Sequence, residues 1–123
     1  SNMLKNKRTE PDYAGVPSVV FTIPELARVG LLEEEAREMG DVEVSFTDTS
    51  GWFSQKRIGE THAGAKIITA KDGKILGAHM FGPDYAELIN VFSLAIKLEL
   101  TAAQVKAMPA AYPTGASDIG SMF

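Results

Sequence analysis

With 123 residues the chain has room for one domain and one apolar core, since domains commonly run ~100–150 residues. Its 45% apolar content excludes a disordered chain, and twelve Lys and Arg against sixteen Asp and Glu, a net charge of −4, leave no basic face for nucleic acid. Cysteine is absent, which excludes disulfides, thiol nucleophiles and cysteine-ligated zinc and fits a reducing, cytoplasmic setting, and no apolar run approaches the ~18 residues of a membrane span.

Ser1 and Asn2 before Met3 read as the remnant of a cleaved tag, as on a domain taken from a longer chain. Residues 4–15, polar and carrying Pro11 and Gly15, read as a linker into a domain at 16–123. Residues 18–22 (SVVFT) are β-branched and aromatic and predict a buried strand stopped by Pro24. Residues 24–30 (PELARVG) read as a short helical turn or a loop. Residues 31–40 predict a helix, with Glu33, Glu34 and Glu35 at its positive end and Gly40 closing it. Residues 42–48 alternate, with Val42, Val44 and Phe46 on one face, and predict a half-buried strand. Residues 50–64 carry no clear period and read as a short irregular edge. Residues 65–82 hold two apolar runs about Lys71-Asp72-Gly73-Lys74, and Asp-Gly is a favoured hairpin turn. At least four strands in one antiparallel sheet result, an α+β fold with helices packed on the sheet.

Residues 83–100 predict the longest helix, with Asp84 as N-cap and Glu87 completing a capping box. Glu87, Asn90, Ser93 and Lys97 form one polar stripe, and the rest is apolar over about twice the arc a surface helix shows its core. The helix therefore needs a second covered face. Either it is sandwiched inside its own domain or it meets another subunit, the second reading assigning Leu88, Val91, Phe92 and Ala95 to the contact. About five large side chains buried on pairing contribute ~8–15 kcal/mol per subunit as an upper bound, comparable with an association cost of ~4–15 kcal/mol. Thr101 then caps a shorter helix ended near Pro109.

Chemistry-bearing clusters are few. His79, placed on one strand face with Ile75 and Phe81, reads as a satisfied structural histidine, and His62 as a solvated loop residue; neither has metal-ligand spacing. Glu33, Glu34, Glu35 and Glu38 form a solvated helix face. Ser117, His62 and Asp118 make no nucleophile arrangement, because Ser117 and Asp118 are adjacent and no elbow motif is present. No Gly-rich phosphate loop occurs, so the chain is not expected to bind a dinucleotide or other cofactor alone, or a metal.

Two stretches in order carry a family likeness. VPSVVFTIPELARVGLLEEEA and GAKIITAKDGKILGAHMFGPDYAELINVFSLAIKLELTAAQV resemble the opening strand, hairpin and long interface helix of the C-terminal dimerisation domain of the pyridine nucleotide-disulfide oxidoreductases. That family includes glutathione reductase, dihydrolipoamide dehydrogenase and mercuric reductase. The resemblance implies a homodimer, with FAD- and NAD(P)-binding domains upstream and FAD and NAD(P)H as cofactors of the complete protein. It also implies an arm that reaches the partner's flavin and carries His-Pro-Thr-x-x-Glu. Here Tyr112 stands at the histidine, Pro113 and Thr114 match and would lie near the partner's FAD, and Ser117 stands at the glutamate, with Asp118 one position late.

An imidazole near pKa ~6.5 gives and takes protons at neutrality, whereas a phenol near ~10 is a reluctant donor to a thiolate of ~8.5. The arm therefore reads as a modified site in which Tyr112 donates a hydrogen bond or gates the thiol site, with Tyr112–Pro113 cis. The alternatives are a reductase of a non-glutathione acceptor (a CoA disulfide, a metal ion or a quinone) and a non-catalytic homodimerisation module.

Overall fold

The computed structural model describes residues 10–123, so residues 1–9, where the tag remnant and the first part of the linker are expected, lie outside the described residues. Five strands form one fully antiparallel sheet: β1 (Ser18–Val20), β2 (Leu26–Gly30), β3 (Val42–Asp48), β4 (Gly64–Ala70) and β5 (Ile75–Phe81). Their order across the sheet is β1-β2-β5-β4-β3. The helices are α1 (Glu33–Met39), α2 (Phe53–Lys56), α3 (Tyr85–Lys97) and α4 (Ala102–Lys106), followed by a 3-10 helix, Gly115–Ser121. The fold is α+β, as the periodicity predicts.

The Asp-Gly hairpin forms as expected, with Gly73 at φ 86 and its N–H donating to Ala70 O. Its two strands are the middle of the sheet, and a register shift between Ile68 and Thr69 corrects the expected side-chain faces. Ile75 joins Ala78 and Met80 in the core, while His79 and Phe81 point to the opposite face. His79 Nε2–H donates to Leu31 O at 3.0 Å, a satisfied structural histidine.

Two expectations for the first thirty residues fail. The apolar run 18–22 gives a short edge strand that pairs only with β2, and Val20 and Phe21 are 55% and 81% exposed. Residues 26–30 form neither a helical turn nor a loop but a strand flanked on both sides. Ala27 and Val29 pack inward while Leu26 and Arg28 point out, the period-2 pattern of a strand in which a small residue does duty as core. Gly30 (φ 75) is obligatory there, because a Cβ would lie 2.2 Å from Leu76 O.

The core lies between one face of the sheet and α3. Ala27, Val29, Ala65, Ile67, Ala78 and Met80 meet Tyr85, Leu88, Ile89, Phe92 and Ala95. Ile119 and Met122 of the C-terminal segment close one end, and the Phe123 ring stacks obliquely on Phe92 at 6.1 Å. On the other face, Leu31 crosses Gly77 so closely that a Cβ on it would meet Leu31 O at 2.3 Å. Ile68 on the same face is fully covered, and the face is open around Phe46. Phe46 is 72% exposed, so β3's apolar side is covered less than its alternation suggests. Residues 50–64 contain a helical turn, α2, in place of an irregular edge.

The start of α3 departs from the expected cap. Asp84 sits in the left-handed region (φ 63) and its side chain caps nothing. Glu25 Oε2, 61 residues earlier, accepts from Ala86 N at 3.0 Å instead. Thr101 does cap α4: its hydroxyl accepts from Gln104 N, and Gln104 Oε1 accepts from Thr101 N at 2.9 Å.

Candidate functional site

The chain leaves α4 at Ala107, runs through Pro109 and reaches Tyr112, which is 83% exposed; the Tyr112–Pro113 peptide is cis, as the family likeness implies. The turn beyond Pro113 is tightly held. Thr114, extended, caps the 3-10 helix: Ser117 N–H donates to its hydroxyl, and Thr114 N–H donates to Ser117 Oγ at 3.2 Å. The Thr114 hydroxyl donates to Ala111 O and the Ser117 hydroxyl to Thr114 O, each at 2.6 Å. Ser117 is thus folded back into its own turn, its proton held by a backbone carbonyl. Ile119 and Met122 then pin the turn to the core.

A cross-chain bond holds the same turn from the side. Ser54 Oγ–H of α2 donates to Asp118 Oδ2 at 2.6 Å. Next to it lie three buried polar residues: Thr49 and Tyr85, whose hydroxyls are 2.6 Å apart, and Gln55. Burial pushes the Tyr85 phenol above its ordinary value, against the opposing hydrogen bonds of Thr49 and Gln55. Between α2 and the arm is a small cleft of about 40 Å³, lined by Ser54, Gln55, Arg57, Asp84, Tyr112 and Thr114. A cleft of that volume has no room for a flavin ring.

The other candidate residues stay apart. His62 is exposed and its Nδ1 pairs with Thr61 Oγ1 at 2.8 Å; among the described residues no hydrogen bond joins it to Ser117 or Asp118. No group of three His, Asp or Glu that could hold a metal occurs among the described residues. Glu33 is occupied by Arg37 and Lys66, whose hydrogen bonds hold its carboxyl below the usual range.

The long helix does have two apolar faces, but the residues divide differently from the expected contact. Leu88, Phe92 and Ala95 are covered by their own sheet, at 7%, 0% and 1% exposure, and are not available to a second subunit. Val91 is only partly covered, and Leu94 and Leu98 are 58% and 59% exposed. These three fall on one stripe at i, i+3, i+7. Of the polar stripe, Ser93 and Lys97 are engaged by the leading segment, through Gly15 O and Asp12. A second apolar region lies on the open sheet face, a cleft of about 500 Å³ floored by Leu26, Phe46 and Phe81 with Lys66, His62 and His79 at its rim.

Residues 16–123 match the family model of the pyridine nucleotide-disulphide oxidoreductase dimerisation domain. The chain belongs to this family. As a dimerisation domain it is 41% identical over 124 residues to an uncharacterised 19.7 kDa protein in a mercuric resistance operon of Staphylococcus aureus, covering 99% of this chain and 69% of that protein. It is 35% identical to the chloroplastic/mitochondrial glutathione reductase of Pisum sativum, covering 98% of this chain and 22% of that enzyme. Among solved structures, the Cu(II) complex of a mutant of the HOCl-induced flavoprotein disulfide reductase RclA from Escherichia coli superposes with a TM-score of 0.84 at 27% identity. That match covers 89% of this domain and 25% of the reductase. The dimerisation domain thus spans about a quarter or less of the reductases it matches. No described helix is long and apolar enough to cross a membrane.

Proposed function

We propose that the domain forms a homodimer and serves an FAD-dependent NAD(P)H oxidoreductase by presenting Tyr112, on its Tyr-Pro-Thr arm, to the partner subunit's active site in the cytoplasm. The observation that carries this reading is the contrast within the arm. Pro113 to Met122 are fixed by a reciprocal cap, a cross-chain hydrogen bond and two buried anchors, yet the phenol next to them is 83% exposed. A large aromatic held out on a fixed support is arranged to meet something outside its own chain. There the phenol donates a hydrogen bond or gates the thiol site. Ser117 replaces the family carboxylate only in sequence position, since its hydroxyl serves the turn. The runner-up within this reading is an acceptor other than glutathione. Of a CoA disulfide, a quinone and a metal ion, the last is favoured by the mercuric operon of one relative and the copper complex of another.

The subunit contact runs along Val91, Leu94 and Leu98 of α3. These are fewer side chains than the five counted from sequence, and each contributes ~1.5–3 kcal/mol at most, so flanking surface must share in the contact. In the complete oxidoreductase, Tyr112→Phe removes the donor and leaves the ring. Turnover with the native acceptor is expected to fall; unchanged turnover refutes the role of the hydroxyl.

A second reading is a homodimerising module with no reductase attached. It is favoured by the S. aureus relative, in which the match leaves about a third of 19.7 kDa, less than one ordinary domain of ~100–150 residues. The absorption spectrum of the protein purified from its native source separates the two, a bound flavin supporting the reductase and none supporting the module.

A further inference from the structure

Gln55 of α2 is 3% exposed and borders the cleft beneath the arm, beside Thr114, Ser117 and Asp118. One residue away on α2, Ser54 donates directly to Asp118 Oδ2 across 64 residues of sequence.

We propose that α2 is a bracket for the Tyr112 arm. Ser54 holds the 3-10 helix through Asp118, and the buried Gln55 side chain beside it anchors α2 against the fold. The four residues Phe53–Lys56 are themselves fixed from behind, because Trp52 packs against the core and its N–H donates to Thr49 O at 3.0 Å. The Thr49–Tyr85 hydroxyl pair joins this support to the first turn of α3. Ser54 and Gln55 are thus positioning residues. They touch no substrate, and they fix the direction in which the phenol projects. The importance of that direction for turnover rests on the proposed role of Tyr112, but the bracket is a property of this chain and is testable in it.

Because the chain has no cysteine, two nitroxide labels can be placed without background at Met39→Cys, exposed at the end of α1, and Ala111→Cys, exposed beside Tyr112. Double electron–electron resonance on the 123-residue chain, diluted with an excess of unlabelled chain so that each pair carries labels on one subunit only, then reads the position of the arm directly. The expected result is one narrow distance distribution. It broadens at least twofold in Ser54→Ala, which removes the donor to Asp118, and narrows again in Ser54→Thr, while all variants melt cooperatively. A distribution in Ser54→Ala that superimposes on the parent's would overturn the bracket. A narrow, bracket-dependent distribution together with undiminished turnover in Tyr112→Phe would support the bracket and refute only the role of the phenol.

Discussion

Phe92 and Leu94 are two residues apart on α3, and they divide the helix into two kinds of surface. Phe92 is fully buried against the sheet and the Phe123 ring, whereas Leu94 is 58% exposed on a stripe with Val91 and Leu98. The inward stripe holds the fold together, and the outward stripe is apolar without stabilising the monomer. The contrast teaches that an apolar arc too wide for one core has to be split by position. Residues counted together in the sequence as interface belong mostly to the fold.

The largest test of this division is Phe92→Ala. Loss of a buried aromatic with its ring contact should cost ~3–5 kcal/mol in denaturant unfolding, and a cost below about 1 kcal/mol would show that the inward stripe is not the core. Next is the polar support behind the inward stripe. Thr49→Val leaves the buried Tyr85 hydroxyl without its 2.6 Å partner and should cost ~1–3 kcal/mol. The Tyr85 phenol is raised above its ordinary value of about 10, so the folded chain holds that proton more tightly than the unfolded one. Its contribution is complete below about pH 10 and is lost as pH rises through the raised value. A melting series above pH 10 should therefore show a steeper fall in the parent than in Tyr85→Phe, and equal slopes would contradict the burial of the group.

A smaller effect, of opposite sign, lies at the end of the helix. Glu99 adopts φ 54 while its N–H donates to Ile96 O and Leu100 N–H to Ala95 O, a closing turn that favours glycine. Its 3.8 Å pairing with Lys74 is exposed and weak. Glu99→Gly should stabilise the chain by ~0.5–1 kcal/mol, and destabilisation would show that the ion pair outweighs the backbone strain.

The same division explains how much of the molecule is legible in its sequence. The hairpin is legible because Asp72-Gly73 dictates a turn by its own backbone preference, and α3 because its apolar residues recur at helical spacing. β2 is not, since Pro24 precedes it and its inward residues are only Ala27 and Val29, too small to announce a strand. The orientation of α3 depends on the sheet it meets, so Leu88 and Leu94 look alike until that surface is in place. In the arm, the Thr114–Ser117 cap is local and its spacing is visible in the sequence, although Ser117 reads there only as a catalytic replacement. The Ser54–Asp118 bond joins positions 64 residues apart, as remote as Glu25 from the helix end it caps, and neither pairing has a local signature.

The most direct test is the mass of the 123-residue chain in sedimentation equilibrium, measured beside Leu94→Asp. If the outward stripe is where two copies meet, the parent sediments at twice its 13.2 kDa subunit mass, while Leu94→Asp sediments at 13.2 kDa and, at a concentration too low for pairing, unfolds within about 0.5 kcal/mol of the parent. A parent that stays at 13.2 kDa to millimolar concentration, or a Leu94→Asp variant that still pairs, would contradict the contact along α3.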